Sequence, residues 1–223
     1  MRVHPRWLVG TAVMAVGVYV LMWVGYVQSW AWLVRIDNAA LEPAYRFAES
    51  RCGWVTAWDL YCTVLGPGAF RLVVLMVIIV ALVRRQVRLA MFLLVTVELS
   101  GLVTELAKYV ADRPRPDTAM VGALSTSFPS GHALGVMVAV AALLTVAMPR
   151  VDRTRRRLLI ALGAVIVVTI GIGRVVLNVH NPSDVVAGWA LGYAYFVVCL
   201  LLVPPSRAVT DAVETPEALD SAR

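Results

Sequence analysis

WLVGTAVMAVGVYVLMWVGYV, residues 7–27, runs for twenty-one residues without a charged side chain. As a helix rising ~1.5 Å per residue it reaches ~30 Å, the thickness of a bilayer's hydrocarbon core. Five more apolar stretches follow, at 69–83, 89–107, 133–148, 158–172 and 185–203. The second, fourth and fifth spans are short as drawn, so their helices are expected to continue several residues further. The whole chain is 60% hydrophobic and 15% charged, against ~45–50% and ~25% for an ordinary soluble domain. That surplus must face something other than water. The expected fold class is all-α: a polytopic membrane protein, built as a six-transmembrane-helix bundle over residues 1–203. Residues 204–223, with Pro, Ser, Thr and four acidic side chains, are expected to form a disordered cytoplasmic tail. Arg2 and Arg6 precede the first stretch as in a signal peptide. Its apolar run exceeds the ~7–15 residues of a signal core and no small-residue cleavage site follows, so it reads as a retained anchor.

The net charge is +6, with nineteen arginines and a single lysine, Lys108. These cations are scattered between apolar runs rather than gathered into a stripe with interleaved aromatics, which argues against nucleic acid as a partner. In a six-span layout both termini share one side. That side holds twelve of the basic residues, among them Arg84, Arg85 and Arg88 and the run Arg153–Arg157, and the other side holds eight. The positive-inside rule then places the termini in the cytoplasm. Three cysteines carry no metal-binding spacing. Cys52 and Cys62 lie in a long loop, 28–68, where they either pair in an oxidising compartment or remain two free thiols; Cys199 reads as a small apolar residue. The same loop holds Trp30, Trp32, Trp54 and Trp58, suited to the headgroup level, and residues 37–50 are expected to form an interfacial amphipathic helix.

Three segments carry chemistry: KYVADRPRP at 108–116, SFPSGH at 127–132, and GRVVLNVHNPSD at 173–184. Far apart in sequence, they fall at the same membrane face in the six-span layout. A phosphate needs donors that stay charged, and Lys108, Arg115 and Arg174 supply three. It also binds at helix N-termini, and 128–131 reads as a helix start with Pro129 early, Ser130 offering a hydroxyl, and Gly131 and His132 offering amides. Asn181-Pro182 reads as an N-cap followed by proline at the first helical position. Asp184 then sits four residues after His180, within reach of one imidazole nitrogen, and leaves the other to attack phosphorus. His132 remains to protonate the departing oxygen and later to activate water. Arg113 stands in the wrong register for the phosphate and reads as an anchor to headgroups.

These residues resemble the type 2 phosphatidic acid phosphatase (PAP2) family, marked by K-x6-R-P, P-S-G-H and S-R-x5-H-x3-D. Lys108 to Arg115-Pro116 matches the first motif and Pro129–His132 the second. Arg174, His180 and Asp184 match the third, with Gly173 where the family has serine, so one hydroxyl contact is missing while activity is expected to remain. The resemblance implies a six-helix PAP2-type core, a phosphohistidine intermediate on His180, His132 as acid and base, and neither metal nor other cofactor. It also implies a lipid phosphate substrate: phosphatidic acid, phosphatidylglycerol phosphate or a polyprenyl diphosphate. The expected location is the plasma membrane, with the site at the outer face and membrane lipids as partners; the sequence does not indicate an oligomeric state. The competing reading, for which Gly173 is the only hint, is a phospholipid-binding or lipid-translocating protein that keeps the anion pocket without the chemistry.

Overall fold

The computed structural model describes residues 5–123 and 125–205. They form α1 (Pro5–Val27), α2 (Ala31–Glu49), α3 (Cys52–Val64), α4 (Pro67–Val83), α5 (Val87–Leu93), α6 (Ser100–Ala111), α7 (Gly131–Ala147), α8 (Arg153–Val176) and α9 (Pro182–Leu202). A π-helical turn, Leu94–Glu98, joins α5 and α6. Six runs among the described residues are long and apolar enough to cross a membrane. The all-α, six-transmembrane reading therefore holds.

The spans exceed the apolar stretches because helices continue through charged residues that end a hydropathy window. The stretch at 158–172 extends in both directions to become Arg153–Val176. Asp152 caps it, accepting from the backbone N–H groups of Thr154 at 3.0 Å and Arg155 at 2.9 Å. The stretch at 89–107 similarly becomes Val87–Ala111, which puts Lys108 inside the last turn of a helix rather than beyond it.

The segment 28–68 is not a loop: it holds α2 and α3. On α2, Leu33, Asp37 and Leu41 are buried, a spacing of four that places them on one face. The helix expected at 37–50 thus starts six residues earlier, and it contacts α8 and α9. Trp54 and Trp58 stack edge-on at 5.9 Å. Cys62 is a free, buried thiol; the side chain of Cys52, and with it the pairing considered for these cysteines, lies outside the described residues. So does the tail from 206 to 223.

At the centre of the bundle α7 packs against α4, α6, α8 and α9, while α1 lies along α9. Between helices in a bilayer there is little hydrophobic driving force, so close packing across small residues has to hold them. Gly188 and Gly192, one turn apart on α9, provide it. A Cβ at Gly188 would stand 2.6 Å from the Ser130 carbonyl oxygen, and one at Gly192 would stand 2.8 Å from that of Leu134. The two helix backbones are therefore in direct contact where α7 begins.

Candidate active site

The three motif segments meet at one end of the bundle because three helix termini meet there. α6 stops at Asp112, whose left-handed backbone (φ 42°) caps it and turns the chain into the 113–130 loop. α8 stops after Arg174, and Asn178 (φ 54°) makes the turn that delivers His180; asparagine tolerates this conformation better than most residues with a Cβ. α7 and α9 start there, with Ser130 and Asn181 as their N-caps. Pro129, expected in the first turn of α7, instead precedes the cap, and the Phe128–Pro129 peptide is cis.

A cavity of about 460 Å³ opens between these termini, lined by Lys108, Arg115, Gly131, His132, Arg174 and His180. Six of the eight residues singled out in the sequence are therefore brought together. The other two stand behind the wall. Ser130 is buried, and its hydroxyl accepts the Ala133 N–H at 3.4 Å. Asp184 is fully buried below His180. Gly131 sits close to α6: a Cβ there would lie 3.1 Å from the Thr104 methyl and 3.9 Å from Lys108 Cε.

The cations are held in place by their neighbours. Lys108 Nζ donates to Ser125 Oγ at 2.6 Å. Arg115 donates from Nε to the Ser125 carbonyl at 2.8 Å and from Nη1 to the Val179 carbonyl at 2.7 Å. The same Nη1 lies 3.3 Å from His180 Nε2, so that imidazole nitrogen faces the cationic pocket. Arg174 is buried with its Nε unpartnered.

On the other side of the ring, His180 Nδ1 lies 3.6 Å from Asp184 Oδ2 and makes no hydrogen bond. The pair is in electrostatic contact just beyond hydrogen-bond reach. Burial is the main reason that the His180 pKa is pushed down to about 4. Asp184 opposes that shift, while Arg115 and Arg174 add to it. The ring is therefore neutral near pH 7, the protonation state a nucleophile needs.

Asp184 has many partners, and one of them corrects the sequence reading. Its Oδ2 accepts from Ser127 Oγ and from the Asn181 backbone N–H at 2.8 Å. Its Oδ1 accepts from Arg113 Nη1 at 2.6 Å. Arg113 is no headgroup anchor: only 12% of its side chain is exposed, and it also pairs through Nη2 with Asp37 at 2.9 Å. Its guanidinium sits 4.8 Å over the Tyr26 ring. Asp37 in turn accepts from the Ser183 backbone N–H at 3.0 Å and hydroxyl at 2.7 Å, so a carboxylate from α2 caps the first turn of α9. Asp37, Arg113 and Ser183 were missed. The available signal was an aspartate at the same helical spacing as Leu33 and Leu41, on a face that had to be buried.

Gly173 is explained by its neighbours. A Cβ there would lie 2.6 Å from Cys62 Sγ and 2.9 Å from Trp58 Cε3, so α3 fills the space that a serine side chain would need. Gly173→Ser is expected to lower the thermal midpoint in detergent, at an overpacking cost of about 1–3 kcal/mol. Adding Cys62→Ala should recover part of it. An unchanged midpoint for the single variant would show that the Trp58–Cys62 wall yields freely.

Comparison with known proteins places this arrangement. The sequence profile of the PAP2 superfamily matches residues 89–208. Phosphatidylglycerophosphatase B of Bacillus subtilis (strain 168) is 37% identical over 99 residues, 43% of this chain and 48% of that protein. The match thus spans about half the length of that relative. Among solved structures, the first transmembrane PAP2-type phosphatidylglycerolphosphate phosphatase from Bacillus subtilis superposes with a TM-score of 0.70 at 20% identity. That superposition covers 86% of this chain and 93% of that one, a likeness of fold.

Proposed function

This chain belongs to the PAP2 superfamily, and from that premise we propose that it is a membrane lipid phosphatase working through a phosphohistidine on His180. The observation that carries the reading is the position of His180. Its Nε2 faces a cavity walled by Lys108, Arg115, Arg174 and His132, and its Nδ1 looks toward a buried carboxylate.

The chemistry follows from these positions. Lys108, Arg115, Arg174 and the N-terminus of α7 hold the phosphoryl oxygens. Nε2 attacks phosphorus in line with the lipid oxygen, forming the N–P bond as the P–O bond breaks. His132 protonates the departing oxygen, then takes a proton from the water that hydrolyses the phosphohistidine. As Nε2 forms its bond, positive charge grows on the imidazole. Asp37 and Asp184 against the single guanidinium of Arg113 leave one net negative charge beside Nδ1 to stabilise it. The cations do the work that a metal pair does elsewhere; among the described residues no three His, Cys, Asp or Glu side chains group closely enough to hold an ion. The arginine distribution supports cytoplasmic termini and a catalytic end at the opposite, outer face of the membrane.

The test is phosphate release by purified protein in detergent from phosphatidic acid, phosphatidylglycerol phosphate and a polyprenyl diphosphate, with and without EDTA. Release from at least one lipid, unaffected by chelator, is expected. Strict dependence on magnesium would overturn the mechanism, and lipid transport without any release would favour the translocator.

A further inference from the structure

The cavity extends beyond the motif residues, and its inner part holds a fourth cation. Arg71 lines it together with Gly101, Thr104 and Glu105. Arg71 lies on α4 and Gly101 on α6, both within membrane spans. A cation at that depth is expensive and is retained where it faces a ligand or a partner. The guanidinium rests directly on α6, because a Cβ at Gly101 would lie 2.7 Å from Arg71 Nη2. Among the described residues no hydrogen bond or close ion pair engages it. Glu98 acts on it electrostatically, which lowers the cost of the charge, yet one Glu98 oxygen is itself buried without a hydrogen-bond partner.

Distance and direction select a ligand. Gly101 is two helical turns below Lys108, ~10 Å along α6. Two phosphates joined through glycerol stand roughly 6–8 Å apart, given single bonds of ~1.5 Å, and reach both cations. The directly linked phosphates of a diphosphate sit too close together, and phosphatidic acid has only one. Arg71 lies on the side away from the catalytic end, where acyl chains run, and Leu102 beside Gly101 is 68% exposed. A headgroup entering from the bilayer would thus put its terminal phosphate at Lys108 and its phosphodiester at Arg71. Glu105 lies between the two levels on the same cavity wall and can accept a hydrogen bond from a spacer hydroxyl.

Resting on the phosphatase reading, we infer that Arg71 forms a second anion site, which selects lipids whose terminal phosphomonoester is joined through glycerol to a phosphodiester. Purified full-length protein should be assayed in mixed micelles against phosphatidylglycerol phosphate and phosphatidic acid. Arg71→Gln is expected to lower kcat/KM at least 10-fold on the first lipid and less than 2-fold on the second. Equal losses on both, or none on the first, would overturn the second site while leaving the phosphatase reading intact. Release from neither lipid by the parent protein would end the second site, and would end the phosphatase reading as well if the polyprenyl diphosphate were also left intact. Should Arg71→Gln not fold, the parent protein decides: glycerol 1,3-bisphosphate should inhibit at least 10-fold more strongly than glycerol 3-phosphate, and equal inhibition overturns the proposal.

Discussion

His180→Ala protein is expected to purify as a folded membrane protein and to release phosphate more than about 10³-fold more slowly than the parent, since removing a covalent nucleophile removes the pathway rather than one contact. Folding should survive because the ring leaves little behind it. Its Nδ1 has no hydrogen-bond partner. Arg115 Nη1, its neighbour at Nε2, keeps the Val179 carbonyl. The substitution therefore opens a small cavity without orphaning a buried polar group. Because the N–P bond of a phosphohistidine is labile in acid, reactions with phosphate-labelled lipid quenched in alkaline detergent should trap label on the parent and none on the variant. Turnover within 10-fold of the parent, by a protein with an unchanged thermal midpoint, would remove His180 from the mechanism.

Arg113→Ala is expected to have the largest effect on stability. The guanidinium holds Asp37 from α2 and Asp184 from α9 at once, and its loss leaves two buried carboxylates without their cation. Breaking one such pair typically costs about 3–5 kcal/mol, a large share of a domain's ~5–15 kcal/mol. The variant should express poorly or lose many degrees in thermal midpoint. Arg113→Lys is the more informative change, because a point charge cannot make all three contacts that the planar fork makes. It should fold, keep KM within about 2-fold and lose roughly 10-fold or more in kcat, as fits a positioning residue that acts on His180 through Asp184. A fall in kcat/KM carried entirely by KM would instead mean that Arg113 touches substrate.

Much of this was legible in the sequence because its signals were local. Six apolar runs declared six spans, and the fixed spacings from Lys108 to Arg115 and from Arg174 through His180 to Asp184 marked the pocket wall. Asn181-Pro182 announced the start of α9, and the structure has it there. What was hidden depends on partners distant in the chain. Arg113 looked like a poor copy of Arg115 because its meaning comes from Asp37, 76 residues away. The substitution at Gly173 looked like a lost contact because nothing in the motif mentions Trp58 or Cys62. The α2–α3 segment looked like a loop beyond its interfacial helix because the burial of Asp37 depends on Arg113 and Ser183, far along the chain.

The backbone contact of Gly188 and Gly192 with α7 separates what can vary in this pocket from what cannot. Those glycines hold Ser130, the N-cap of α7, against α9, whose first turn carries Asp184. At Gly188 and Gly192 the seam behind the reacting wall therefore has no slack, because a side chain added there meets the peptide of α7. The opposite wall, on α4 and the first two turns of α6, is formed largely by the side chains of Arg71, Leu102, Thr104 and Glu105. Changes of substrate range can accumulate on that wall without disturbing phosphoryl transfer. An engineer seeking a different lipid should begin at Arg71, Leu102 and Glu105.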